Sequence, residues 1–461
     1  MASRRFFRSR NLLAAALFAG TALVAPVLAP ASAETLDEAL ARAYQTNPTL
    51  LAARAALRAT DEGVAQALSR WRPTVEAGAD ISRTQSYSNT RSPATRYTTP
   101  RGVDLSIRQP LYDPVAGAAT ERAEFDVKAA RARLLTTEQQ VLLNAMASYI
   151  DVLRDQAVLD LNINNEQRLR RQLDAANDRF RVGEITRTDV AQAEARLSRA
   201  ISDRITAEGN LAASRAVYRN NVGDAPAGLV PPQAPVNLPV SQDEAISIAS
   251  SRFPDVIAAD YTEQSARANV VAVERELWPD LGVRGTLSAD RGTTNGNTEA
   301  NSASITAEIS VPLYTAGSVA ARIRAAKQTA TQRKLQFDQA RRDAAETATQ
   351  SWESLETARA SLRALDAEIQ ASQIALEGVE KEALVGSRTV LDVLDAEQEL
   401  LTAKVNLVRA QRNEIAAAYE LKAAVGSLTA RELGLQIPYY DEEQNYKDVR
   451  GRWWGSSIQG E

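Results

Sequence analysis

The side chains that most often do chemistry are missing from this 461-residue sequence, which contains no cysteine and no histidine. That removes disulfides, thiol nucleophiles and an acylated cysteine anchor. It also removes Ser-His-Asp triads and His/Cys metal sites. No GxxxxGK[ST] loop is present to cradle a nucleotide phosphate. Carboxylate chemistry remains. Asp392 and Asp395 stand three apart, so on a helix both carboxylates can face the same way. Acids at a helix start also have an ordinary use, since they interact favourably with the positive end of the helix dipole. Asp392, Asp395 and Asp189 are all open to that reading. An enzyme built on paired carboxylates needs a compact cleft, which the element lengths below do not favour. No enzymatic activity, cofactor or metal is expected.

Residues 1–33 read as a secretory signal. Arg4, Arg5, Arg8 and Arg10 form a basic start, an apolar run extends from about Leu12 to Leu28, and Ala31-Ser32-Ala33 offers a cleavage site. A membrane anchor is the alternative, but Pro26 and Pro30 interrupt the run. Cleavage after Ala33 would begin the mature chain at Glu34. The signal holds four of the 54 basic residues, leaving 50 against 58 acidic ones. Such a balance argues against nucleic acid as a partner. No later stretch reaches 18 apolar residues, so a helical membrane span is not expected. A β-barrel span stays open, because alternating strands give only a weak hydropathy signal.

The elements that must position any site are organised by an internal repeat. Leu36-Asp37-Glu38-Ala39-Leu40 matches Gln242-Asp243-Glu244-Ala245-Ile246, and Asn47-Pro48 matches Phe253-Pro254. Pro73 after Trp71 matches Pro279 after Trp278, and Pro110-Leu111-Tyr112 matches Pro312-Leu313-Tyr314. Val182-Gly183 with Asp189-Val190 matches Val385-Gly386 with Asp392-Val393, and Val222-Gly223 matches Val425-Gly426. Matches in one order at shifts of 202 to 206 residues point to duplication. The repeats are placed at 34–223 and 241–426, joined by a Pro-rich linker at 224–240 and followed by 427–461.

Each repeat is predicted to read helix, two strands, long helix, shorter helix. The long helices are placed at 115–181 and 317–384, the shorter ones at 187–221 and 390–425. These proline-free stretches are rich in strong helix formers. At 1.5 Å per residue they would run roughly 100 Å and 52 Å, too long for an ordinary globular domain. Leu394, Leu401, Val408 and Ile415 recur every seven residues, as a coiled-coil seam requires. Gly183 and Gly386 sit where the helices must turn.

Strands are predicted at 73–87, 101–111, 279–291 and 301–313, joined by polar loops at about 84–100 and 291–302. Val75, Ala77, Ala79 and Ile81 alternate with polar or small residues, as do Ile305, Ala307, Ile309 and Val311. One apolar and one polar face follow. About ten residues suffice to cross a bilayer when tilted. Four strands are too few to close a barrel, so several chains would share one around a water-filled lumen.

In these features the sequence resembles the TolC family of outer-membrane efflux and type I secretion channels, from Leu36 to about Leu433. The most specific motif runs from Val385-Gly386-Ser387-Arg388-Thr389 through Leu391-Asp392-Val393-Leu394-Asp395, with its first-half partner from Phe180 to Val190. The resemblance implies an α+β membrane protein: a homotrimer whose 12-stranded β-barrel, four strands per chain, continues into a long α-helical coiled-coil periplasmic barrel. It implies a passive exit duct in the outer membrane, bathed by outer-membrane lipid, with most of its mass in the periplasm. The implied partners are a periplasmic adaptor (membrane fusion) protein and an inner-membrane RND or ABC transporter. Segments 223–245 and 427–440 would form an equatorial collar, and the tail beyond Pro438 reads as a flexible addition. By motif position, Asp392 and Asp395 would line the pore constriction. Six carboxylates around one hole should attract cations and raise one another's pKa values. Arg388 would be a gate latch with Asp189 as its ionic partner, and Gly183 and Gly386 the structural turns at the tunnel tip. Ala383 stands where some members carry a tyrosine that adds to the latch. The competing reading is a periplasmic coiled-coil structural protein with no barrel and no conductance.

Overall fold

The computed structural model describes residues 34–89, 94–294 and 297–458. The signal segment 1–33 lies outside them.

The chain opens with α1 (Leu36–Thr46), which starts at a reciprocal cap. Glu38 N–H donates to the Thr35 hydroxyl, and Thr35 N–H donates back to the Glu38 carboxylate. Asn47 ends α1 and caps α2 (Pro48–Leu68), whose proline occupies the first turn, where its missing N–H costs nothing. Then come β1 (Thr74–Ile81), β2 (Thr84–Ser88), β3 (Ala94–Thr98) and β4 (Arg101–Tyr112). Two long helices close the first repeat, α3 (Pro114–Arg181) and α4 (Arg187–Val222). The second repeat contains α5 (Gln242–Arg252), α6 (Pro254–Arg275), β5 (Asp280–Arg291), β6 (Glu299–Ser310), α7 (Ser318–Leu384) and α8 (Val390–Ala424). A last helix, α9 (Gln444–Arg450), lies in the tail.

Three expectations need correction. The strand placed at 73–87 breaks after Ile81, and the expected loop holds a second hairpin, with Thr84 paired to Thr98 and Ser88 to Ala94. Its Thr, Tyr and Ser residues favour extended backbone, although both faces are exposed. The strand placed at 301–313 instead spans Glu299–Ser310; Pro312, just beyond it, has no N–H to offer the ladder. The tail is not a loose addition, because α9 docks on α2 and α3. Asn445 donates to the buried Asp61 carboxylate at 2.8 Å, and Arg450 pairs with Glu124 at 3.0 Å.

The main sheet is antiparallel in the order β1-β4-β5-β6. Beneath it, α2, α3, α6 and α7 lie side by side in that order. α3 and α7 have 68 and 67 residues, or roughly 100 Å each, and run on past the sheet-end helices. Over their far halves they pair with α4 and α8. The helix seams are built on alanine: Ala344 and Ala348 meet Ala245, Ala249, Ala417 and Ala418 in one buried cluster. Small side chains let the backbones approach closely. Leu394 and Leu401 are buried, Val408 and Ile415 half-buried.

The largest core gathers α1, α2, the middle of α3, the end of α4 and residues 428–435. Tyr149 pins it. Its fully buried hydroxyl lies 2.8 Å from the Glu34 carbonyl, 2.7 Å from the Val230 carbonyl and 3.0 Å from the Val230 N–H. Burial pushes this phenol up to about 12, so it stays a neutral donor. The Glu34 carboxylate accepts from the Tyr218 hydroxyl at 2.7 Å and pairs with Arg42 at 3.1 Å. The linker is thereby tied to both long helices of its repeat. Tyr149→Phe removes the donor and strands buried backbone groups. A loss of about 1–3 kcal/mol is expected, read as a lowered melting temperature with unchanged secondary structure.

Candidate functional site

Antiparallel register decides which side chains share a face of the main sheet. Ala77, Leu105, Leu287 and Ala303 fall in one row, and Val75, Ile107, Gly285 and Ile305 in the next. This face is bare: Val75 is 60% exposed and Ile305 85%. The opposite face carries Glu76, Ser106, Thr286 and Ser304 in one row, and Thr74, Arg108, Arg284 and Thr306 in another. A sheet apolar on one side and charged on the other, with no helix covering the apolar side, suits lipid outside and water inside.

The polar face also holds an acidic band that the alternation did not single out. Asp80, Gly102 and Asp290 share one row, and Gly78, Asp104 and Ser288 the row beside it. A Cβ at Gly102 would come within 2.6 Å of the Asp290 carboxylate and 2.9 Å of that of Asp80. The two glycines leave space for three carboxylates. Their signal in the sequence was glycine inside a strand, which marks close approach by a neighbour.

At the far end of the helices, the two tip turns have one geometry. Gly183 and Gly386 both sit at φ +81°, a conformation open to glycine without strain. Gly183 N–H donates to Phe180 and Glu184 N–H to Arg179; Gly386 donates to Ala383 and Ser387 to Glu382. These bonds cap the long helices. Three residues beyond each glycine, Thr186 and Thr389 start α4 and α8. The Asp189 carboxylate accepts from Thr186 N–H at 2.9 Å and its hydroxyl at 2.8 Å, and Asp392 does the same with Thr389. Both aspartates are held below the usual carboxylate range by these backbone and hydroxyl bonds.

The site residues expected from sequence are therefore gathered at the tip, but not in the expected pairs. Arg388 does not reach Asp189 within the chain. Its guanidinium donates to Glu382 on its own helix pair at 2.9 Å, while the Asp189 carboxylate is engaged by its cap. Asp392 and Asp395 do not point together either. Asp392 turns back to Thr389, and Asp395 is ion-paired with Arg196 of α4.

What joins the pair α7/α8 to the pair α3/α4 near the tip is a different set of contacts. Arg196 meets Asp395, Gln172 donates to Glu397 at 2.8 Å, and Leu394 packs against Leu169 and Ala200. Burial pushes the Glu397 carboxyl up. Further from the tip, Asp151 bridges Arg154 and Arg412, each at 2.8 Å. Sequence reasoning missed Arg196, Gln172 and Glu397, because each gains meaning only when the two hairpins lie side by side.

The chain as a whole has counterparts among known proteins. A family model described as outer membrane efflux protein matches residues 39–223 and again 245–427. The outer membrane efflux protein BepC of Brucella suis biovar 1 is 37% identical over 98% of this chain and 97% of its own length. The outer membrane protein TolC of Vibrio cholerae is 26% identical over 87% of this chain and 92% of its own. The crystal structure of the Campylobacter jejuni CmeC outer membrane channel superimposes with a TM-score of 0.77 at 15% identity, covering 90% of this chain and 89% of that one. Twice matched by the family and aligned over nearly its whole length with an efflux relative, the chain belongs to the outer membrane efflux proteins of the TolC family, with its place in the outer membrane and a large portion in the periplasm.

Proposed function

We propose that this chain works as a homotrimeric, passive exit duct, opened at its helical tip by a periplasmic adaptor joined to an inner-membrane transporter. The observation that carries this reading is a pair of aligned open edges. β1 and β6 are the unpaired edges of the main sheet, while α2 and α7 flank the helix layer beneath it. The alignment follows from chain order, since α2 leads into β1 and β6 leads into α7. In hydrocarbon, open strand edges are not tolerated. α7 has few buried residues of its own and exposes Leu335, Ile374 and Leu384. One operation satisfies both layers: α7 of one copy packs beside α2 of the next while β6 pairs with β1. Three copies supply twelve strands, more than the eight whose interior side chains alone can fill. A coiled-coil protein without a barrel gives the bare apolar face no role.

The duct has no energy source of its own in this reading. The acidic band of Asp80, Asp104 and Asp290 faces the lumen, and the α8 starts surround the tip with Asp392 and Asp395 as its constriction. The closed state is held by Arg196–Asp395, Gln172–Glu397 and the Leu394 contact. An adaptor opens it only by binding the parted arrangement better than the closed one.

Three outcomes follow. In planar bilayers the parent is expected to show a small cation-selective conductance blocked by a multivalent cation from the tip side, and Asp392→Ala/Asp395→Ala to escape block. Absence of conductance from an intact oligomer would count against the duct. Second, Arg196→Ala and Asp395→Ala should each raise leakage of a large antibiotic about two- to fivefold, as expected for a half-exposed ion pair worth up to ~1 kcal/mol. The double variant should add little to either single change; additive effects would show that the two residues act separately. Third, the caps should depend on pH. Because the folded Asp392 is held below the ordinary value of 3.8, its stabilisation is complete above that value and is lost as pH falls through the lower folded one. A spin label at Ser387 should stay ordered above about pH 5 and become mobile in strong acid. In Asp392→Ala it should be mobile throughout.

A further inference from the structure

The C-terminal tail climbs α3 toward the membrane. Ala430 N–H donates to Glu138 at 2.7 Å, Glu443 pairs with Arg131 at 3.5 Å, and Arg450 with Glu124 at 3.0 Å. Each contact lies seven residues nearer the start of α3, a rise of roughly 21 Å in all. At the top, Arg72 takes over. Its guanidinium donates to the Arg452 carbonyl at 2.6 Å and lies 5.0 Å from the centre of the Trp453 ring. Arg72 stands two residues before β1. The tail then reverses at Gly455, at φ +100°, and Arg452 closes the turn onto the Ser457 carbonyl at 2.8 Å. Ile458 returns toward α2 near Ala55 and Ala59. Trp453 and Trp454 are left at the apex, 60% and 86% exposed.

That apex lies at the level where the four strands meet the helices. Trp71 precedes β1, Tyr112 ends β4, Trp278 precedes β5 and Tyr314 follows β6, all of them exposed. Of five tryptophans in the chain, only Trp352 lies elsewhere, within a helical core. Indoles gather at membrane–water interfaces because the ring favours the acyl boundary while its N–H seeks a polar partner. Two adjacent exposed indoles on a docked, closed turn would be an unexplained apolar surface in water.

We propose that the Trp453-Trp454 turn is a lipid anchor, seated in the phospholipid headgroup layer of the periplasmic leaflet and continuing the aromatic belt of the barrel. Arg72 positions it by joining the tail to the base of β1. The tail so placed ties the equatorial region, through α9, to a fixed depth in the membrane.

The test uses the mature oligomer in phospholipid vesicles, comparing the parent with Trp453→Ala/Trp454→Ala. The difference emission between the two belongs to the apical indoles. It is expected to be quenched about twofold more by bromines near the headgroups than by bromines at the bilayer centre, and poorly by aqueous iodide. Quenching by iodide as for free tryptophan, with none by lipid bromines, would overturn the proposal and place the turn in water or in the lumen. Should the alanine variant fail to assemble, Trp453→Tyr/Trp454→Tyr supplies the same difference spectrum with interfacial side chains retained, and the same two outcomes decide.

Discussion

A β-sheet in hydrocarbon has no water to satisfy the N–H and C=O groups along its edges, so it must close on itself or on copies of itself. That demand shapes this molecule from end to end. The four strands of the main sheet cannot close alone, and in the proposed trimer the edges β1 and β6 are where copies join. The helices continuing from those strands inherit the same open sides. A long helix such as α7, with little core inside its own chain, is a natural consequence. Its missing contacts lie where a neighbouring copy stands in the proposed trimer, so that assembly would complete the burial of α7.

Within the helical layer, two kinds of contact divide the work. Along the hairpins, buried alanines such as Ala193 and Ala207 on α4 and Ala344 and Ala348 on α7 allow close packing. Between the hairpins near the tip, contacts are few and largely polar: an ion pair, one amide–carboxylate bond and a small apolar cluster. A half-exposed ion pair such as Arg196–Asp395 is worth little by itself and can be exchanged for water. The molecule is thus firm along its hairpins and yielding between them, the distribution a gate requires.

Much of this architecture is legible in the sequence because it rests on periodicity. The proline-free stretches, the heptad from Leu394 to Ile415 and the alternation around Val75 and Ile305 are local patterns with local causes. Glycine at 183 and 386 announces a turn for the same reason. The β2–β3 hairpin was hidden because its residues are polar on both faces and carry no alternation of hydrophobicity. The site was less legible. Thr186-x-x-Asp189 and Thr389-x-x-Asp392 are capping signatures, and this local rule accounts for where both carboxylates point within the chain. Arg196 and Glu397 could not be found by any local rule, since their partners lie about 200 residues away. The acidic band needed the strand register, which places Asp80 beside Asp290 across Gly102.

The twin tip turns carry a consequence for how such a protein can diversify. Their backbones agree within a few degrees, with the threonine caps at ψ 160° and 161°, and a Cβ at either glycine would meet nothing within 4 Å. The fold therefore fixes one path of the chain at both turns while the side chains along it differ. Glu184, Ile185 and Arg187 in one repeat stand where Ser387, Arg388 and Val390 stand in the other. One scaffold thus offers two surfaces of different charge and hydrophobicity.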